Sequence, residues 1–167
     1  MYDELTENDI KKIQEEIDYR KLVVRKEAIE AVKEARAHGD LSENFEYHAA
    51  KRDKNQNESR IRYLERMIRT AKVISDKSKA DEVGINNRVE LYFEDDDETE
   101  TYKIVTTVRG NSLDNKISNE SPLGRAVLGH KAGDRVYVKG NDRAGYYGVI
   151  KSIDKTADDG SDQIRKY

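Results

Sequence analysis

Apolar residues in the first half of the chain recur every three or four positions. Ile10, Ile13, Ile17, Val24, Ala28, Ala31 and Ala35 form one such series, which predicts a long helix burying a single stripe. Thr6 is its expected N-cap, and Asp9 three residues on suits the positive end of the helix. No proline interrupts the run. Its first glycine, Gly39, stands where a left-handed C′ residue is expected. A second series, Ala50, Lys54, Asn57, Ile61, Leu64, Ile68 and Ala71, predicts another helix running to about Ile74. Helices joined by so short a turn lie antiparallel. About thirty residues at 1.5 Å each make a rod on the order of 45–50 Å. Its seam is oily at the open end and becomes small and polar toward the turn.

Beyond Ile74 the period changes. Residues 76–87 read as a linker between a hairpin domain (residues 1–75) and a globular domain (residues 88–154). RVELYFE and TETYKIVTT then alternate on a period near two around the acidic turn DDDE, a β-hairpin pattern. SPLGRAVLG has Ser121 as N-cap, Pro122 at the first helical position and Gly129 at the stop, so a short helix is expected there. DRVYVKG and YYGVIKSI supply two more strands. Residues 155–167 show no apolar period and are expected to form a mobile tail. The fold class is therefore α+β: an antiparallel helical coiled coil followed by a small antiparallel sheet with one short helix.

Composition narrows the function classes. Charged residues make up 39% of the chain, against roughly a quarter in an average domain. With only 35% hydrophobic residues and no Trp, one large core is excluded, while a rod plus a small domain is not. A net charge of −3 argues against global attraction to nucleic acid or anionic membrane. The absence of cysteine removes disulfides and thiolate metal sites and fits a reducing compartment. The polar N-terminus does not resemble a signal peptide, and no apolar run is long enough to cross a bilayer. These features imply a cytoplasmic protein without membrane attachment.

The turn itself, HGDLSENFEY over residues 38–47, gathers Asp40, Glu43 and Glu46 around the exposed apolar Leu41. One reading is local: Asp40 caps the second helix with Glu43 at N3, and Glu46 benefits from the helix dipole. The other is chemical. Carboxylates at the end of a rod suit a hard cation such as Mg²⁺, although two of them cannot complete its coordination alone. His38 and His48 flank the turn without zinc-ligand spacing. Tyr47 is expected to pack and fix the turn.

Gly39–Tyr47 also resembles, throughout, the tip motif Gly-Asp-Leu-x-Glu-Asn-x-Glu-Tyr of the GreA/GreB family of bacterial transcript cleavage factors. ISNESPLGRAVLG with GDRVYV resembles that family's C-terminal segment, and the similarity runs from about Leu5 to Ile153. The resemblance implies an FKBP-like globular domain and a coiled coil that enters the secondary channel of RNA polymerase. It implies that Asp40 and Glu43 help hold a Mg²⁺ ion at the polymerase active site. There the backtracked 3′ end of the nascent RNA is hydrolysed, with the factor acting as a monomeric cofactor rather than an enzyme. Gly39, Leu41, Ser42, Asn44, Glu46 and Tyr47 would support the tip, and Ser121, Pro122, Leu123 and Arg125 would dock on polymerase. The chain departs from the family at Asn55, Gln56 and Asn57, where a Gly-Phe or Ala-Phe pair is frequent, and at Ser59. Arg62–Leu64 resembles the GreB branch, whereas the chain as a whole is nearer GreA.

Helix two also carries Lys51, Arg52, Lys54, Arg60, Arg62, Arg66 and Arg69, interleaved with Asp53, Glu58 and Glu65. Arg66 and Arg69 read as a solvated face with helical ion pairs. Lys51, Arg52 and Lys54, nearer the tip, are candidates for contact with RNA phosphates. Three other readings compete: a channel-binding paralogue that modulates polymerase without cleavage, an FKBP-like chaperone or prolyl isomerase, and a plain coiled-coil adaptor. The last does not need the acidic tip.

Overall fold

The computed structural model describes residues 3–39, 44–140 and 144–166. One unit is built from residues 10–71, the other from residues 3–9 and 72 onward. No described helix is long and apolar enough to cross a membrane.

In the first unit, α1 (Glu7–Tyr19) passes through a π-turn (Arg20–Val24) into α2 (Arg25–Ala37), and α3 (Phe45–Thr70) returns. Thr6 and Asp9 form a reciprocal capping box: Asp9 N–H donates to Thr6 Oγ1 (3.2 Å) and Thr6 N–H to Asp9 Oδ2 (2.9 Å). Ile13, Ile17, Ile61, Leu64 and Met67 are buried along the seam. A fully buried side chain of this size contributes about 1.5–3 kcal/mol. Toward the turn the seam changes to Ala28, Val32, Ala35, Ala50 and Lys54, all but Ala35 only half-buried. The expected stripe is displaced at one place, since Ala31 is exposed and Val32 is half-buried. α3 stops at Thr70, short of Ile74. The N–H groups of Lys72 and Ile74 donate instead to the carbonyls of Asp3 (3.0 Å) and Leu5 (2.8 Å), so β1 (Glu4–Leu5) pairs in parallel with β2 (Lys72–Val73).

The second unit is a five-stranded sheet in the order β5-β4-β3-β7-β6. Its strands are β3 (Arg88–Phe93), β4 (Glu98–Val105), β5 (Lys116–Ser118), β6 (Arg135–Val138) and β7 (Tyr146–Asp154). All pairs are antiparallel except β4 with β5. The sheet is therefore mixed rather than wholly antiparallel, because two 3₁₀ turns, Thr107–Arg109 and Ser112–Asp114, carry the chain back between these strands. The short helix α4 (Pro122–Val127) forms as its sequence predicts: Ser121 Oγ accepts from Gly124 N–H (3.1 Å) and Pro122 opens the first turn. Val83, Val89, Leu91, Ile104, Val127, Val136 and Ile150 make the core. Val83 comes from the stretch expected to be a linker. Its N–H donates to His130 O (2.8 Å) and its carbonyl accepts from Gly129 N–H (2.9 Å), so this stretch is part of the globular unit.

The tail also differs from the mobile segment its composition suggests. Asp162 and Ile164 are buried. Asp162 receives Lys103 Nζ (2.7 Å) on one oxygen and Lys116 Nζ (2.6 Å) on the other. Arg109, with 3% of its side chain exposed, donates to Asp9 (2.7 Å), to Asp158 (2.9 and 3.1 Å) and to the Asp162 carbonyl (3.2 Å). Lys155 Nζ donates to Ser78 Oγ, Glu82 O and Asn87 Oδ1 at 2.6–2.8 Å. The segment is an ionic strap without regular secondary structure.

Burial disfavours the Asp162 carboxylate, but the hydrogen bonds from Lys103 and Lys116 outweigh it and hold the carboxyl below its ordinary value of 3.8. A folded-state value below the unfolded one contributes stability that is present above the unfolded value and lost as pH falls through the folded one. Urea denaturation between about pH 5 and pH 2 should therefore show a steeper loss of stability for the parent than for Asp162→Asn.

Candidate functional site

The hairpin end is assembled by the two residues on either side of the acidic turn. α2 ends at Ala37, His38 is its C-cap, and Gly39 takes φ +128°, a conformation that side chains with a Cβ rarely adopt. Asp40, Leu41, Ser42 and Glu43 lie outside the described residues. The chain resumes with Asn44, which is extended and is the N-cap of α3: its Oδ1 accepts from Tyr47 N–H (3.0 Å). The capping role expected of Asp40, with Glu43 at N3, therefore belongs to Asn44, four residues later. The same amide also donates from Nδ2 to the Ala35 carbonyl (2.7 Å), tying the end of one helix to the start of the next.

Two further contacts brace this end. His38 Nδ1 lies 3.0 Å from Glu46 Oε2. Tyr47 is buried, with the Arg36 guanidinium 5.6 Å from its ring centre. Hydrogen bonding from Arg36 holds the Tyr47 phenol below its usual range. Tyr47 thus packs as its sequence position suggests, and Glu46 sits in the first turn of α3, where the dipole favours a negative charge. Asn44→Ala should remove both amide bonds, costing about 1 kcal/mol for the cap, and speed hydrogen exchange at the Tyr47 amide while leaving the open end of the rod unchanged.

The basic residues of α3 fall into distinct groups. Lys51 and Arg52 are exposed, whereas Lys54 is half-buried in the seam. Arg60 is buried against Glu16 (2.9 Å), so it belongs to the rod's interior and not to a surface patch. Of the four residues expected to dock on polymerase, Pro122 and Arg125 are exposed. Ser121 is occupied in capping, and Leu123 packs against the core. Pro122 and Arg125 line a cleft with Glu120, Ala126, Tyr137 and Lys139. No cluster of three or more His, Cys, Asp or Glu side chains able to hold a metal ion occurs among the described residues.

The N-terminal domain family of transcription elongation factors matches residues 4–73, and the GreA/GreB C-terminal domain family matches residues 77–154. The chain belongs to the GreA/GreB family of transcription elongation factors. It is 46% identical over 136 residues to transcription elongation factor GreA of Thermoanaerobacter pseudethanolicus, covering 81% of this chain and 87% of that protein. It is 42% identical over 148 residues to GreA of Alkaliphilus oremlandii, covering 88% and 93%. The crystal structure of GreA factor homolog 1 of Thermus thermophilus is 24% identical, with coverage of 92% of this chain and 99% of that one and a TM-score of 0.44, a superposition too loose to carry any argument.

Proposed function

We propose that this chain enters the secondary channel of RNA polymerase tip first and stimulates Mg²⁺-dependent endonucleolytic cleavage of the 3′ end of backtracked nascent RNA, so that arrested complexes resume elongation. The observation that carries this reading is Asn44. It caps α3 and ties it to α2, so the start of the second helix is secured by a residue other than Asp40 and Glu43, which we assign as the ligands. Their chemistry suits the ion: Mg²⁺ takes hard oxygen donors, and commonly only one or two carboxylates from a protein. Bound there jointly with polymerase, the ion would supply Lewis-acid polarisation and a more acidic water. The polymerase contributes the remaining ligands and the scaffold, and the chain acts as its cofactor in the cytoplasm.

Lys51 and Arg52 are exposed and Lys54 is half-buried; all three stay the candidates for contact with RNA phosphates. Pro122 and Arg125 are the accessible members of the docking set. The deciding experiment incubates the full chain with a stalled, backtracked polymerase complex and Mg²⁺. Release of short 3′ RNA fragments above the polymerase's own rate is the expected result. Binding without fragment release would instead favour a channel-binding modulator.

A further inference from the structure

The π-turn in the middle of the first long helix has a consequence for the tip, about four turns away. Across Arg20–Val24 the Arg25 N–H donates to the Arg20 carbonyl, five residues back instead of four. The turn holds one extra residue. Everything beyond it is rotated by roughly 100° relative to an unbroken helix, the angle of one residue at 3.6 per turn. From the end of the turn, Val24, Ala28, Val32 and Ala35 form the inward stripe leading through α2, with Ala31 exposed.

Two side chains of the opposite helix reach the turn: Glu65 pairs with Lys21 (3.1 Å) at the surface, and Asn57 holds Arg20 from the interior. Asn57, 4% exposed, accepts from Arg20 Nη1 (3.0 Å) and donates from Nδ2 to the Arg20 carbonyl (3.3 Å). It thereby grips both the side chain and the backbone of the residue that opens the turn. Beside it, the Glu16 carboxylate receives Arg20 Nε (2.7 Å) and Arg60 Nε (2.9 Å). Burial opposes the Glu16 charge, but these two guanidiniums outweigh it and hold the carboxyl below its ordinary range. Toward the tip, three cross-hairpin contacts all require the register set here. They are Arg25 with Glu58 (3.0 Å, twice), Asn44 with the Ala35 carbonyl (2.7 Å) and His38 with Glu46 (3.0 Å).

We propose that the π-turn is the register-setting element of the hairpin, and that Asn57 is its positioning residue, fixing the azimuth at which α2 delivers Gly39 and the acidic turn. The tipward seam is built from small and polar residues, so apolar burial there discriminates weakly between registers. A buried asparagine discriminates strongly, because a slipped partner strands its amide without hydrogen bonds. The functional side of this inference rests on the cleavage role given to the tip; the register itself does not.

Deletions test it, because a π-turn can lose a residue where an ordinary helix cannot. Deleting Leu22, which is 75% exposed, converts the wide turn into an α-turn and keeps the tipward residues in register. Deleting exposed Glu30 rotates them away. Nitroxide labels at Glu34→Cys and Asn55→Cys, in a chain with no cysteine of its own, read the register without polymerase. The Leu22 deletion should keep the parent's distance distribution and at least half of its maximal cleavage. The Glu30 deletion should shift the distribution and lose roughly 100-fold, the scale of a catalytic group misplaced by about an ångström.

Asn57→Leu should lower maximal cleavage about tenfold at an unchanged half-saturating concentration, and removing Leu22 in that background should restore it. A merely structural asparagine would instead track the melting temperature and would not be rescued by a deletion. Equal damage from the two deletions, or no rescue, overturns the proposal. If the label distances behave as expected while the parent itself releases no RNA fragments, the cleavage reading fails and the register inference stands.

Discussion

Asp40→Asn combined with Glu43→Gln should leave the protein folded and bound to polymerase, while transcript cleavage at saturating factor falls roughly 100-fold or more. That size is typical when a group aimed at transition-state charge is removed. The expectation for stability follows from Asn44. Since the cap of α3 is Asn44 and not Asp40, neither substitution removes a helix cap, and thermal melts should coincide within experimental error. The substitutions keep size and hydrogen-bonding capacity and remove only charge. Unchanged cleavage would show that the acids do not serve a metal, whereas a large drop in melting temperature would return them to a structural role at the turn.

Arg109→Ala should have the largest effect on stability, about 3–5 kcal/mol, the usual cost of removing one partner from a buried ionic group. Arg109 faces two aspartates, Asp9 and Asp158, and all three side chains are nearly inaccessible. Its loss strands both carboxylates away from water, and Asp9 is also half of the capping box at the start of α1. Urea unfolding of the full chain measures the loss. The companion variant Asp158→Asn, which retains a hydrogen-bond acceptor, should cost clearly less. Equal costs would mean that burial, and not charge, dominates this site.

The legibility of these features in the sequence depended on the distance over which each is determined. Thr6 as the N-cap of α1, the Ser121–Pro122 helix start and the apolar seam of α3 are local patterns, and all three appear as read; that Asp9 bonds back to Thr6 is added by the structure. The tip is harder, because Asp40 and Asn44 are both good N-cap residues by type. What decides between them is the bond from Asn44 to the Ala35 carbonyl, a contact between helices that no local rule contains. The π-turn is also invisible to periodicity. Seven residues separate Ile17 from Val24, as in an ordinary heptad, and the turn is wide only in its backbone, where Arg25 N–H donates to the Arg20 carbonyl. The strap has no apolar period at all. Its residues find their partners through charge, at Lys103, Arg109 and Lys116, some forty to sixty positions earlier.

The parallel pairing of Glu4–Leu5 with Lys72–Val73 bears on the order in which the chain matures. Residues 10–71 are in effect an insertion within the globular unit, whose first strand is made before the rod and whose remainder is made after it. A disordered insertion of that length would impose a loop-closure penalty on the pairing. A helical hairpin forms from near-neighbour contacts and returns its own end to its beginning, so assembly of the rod shortens the search for the sheet domain. The strand Glu4–Leu5 therefore gains its partner, Lys72–Val73, only after the hairpin between them has been synthesised.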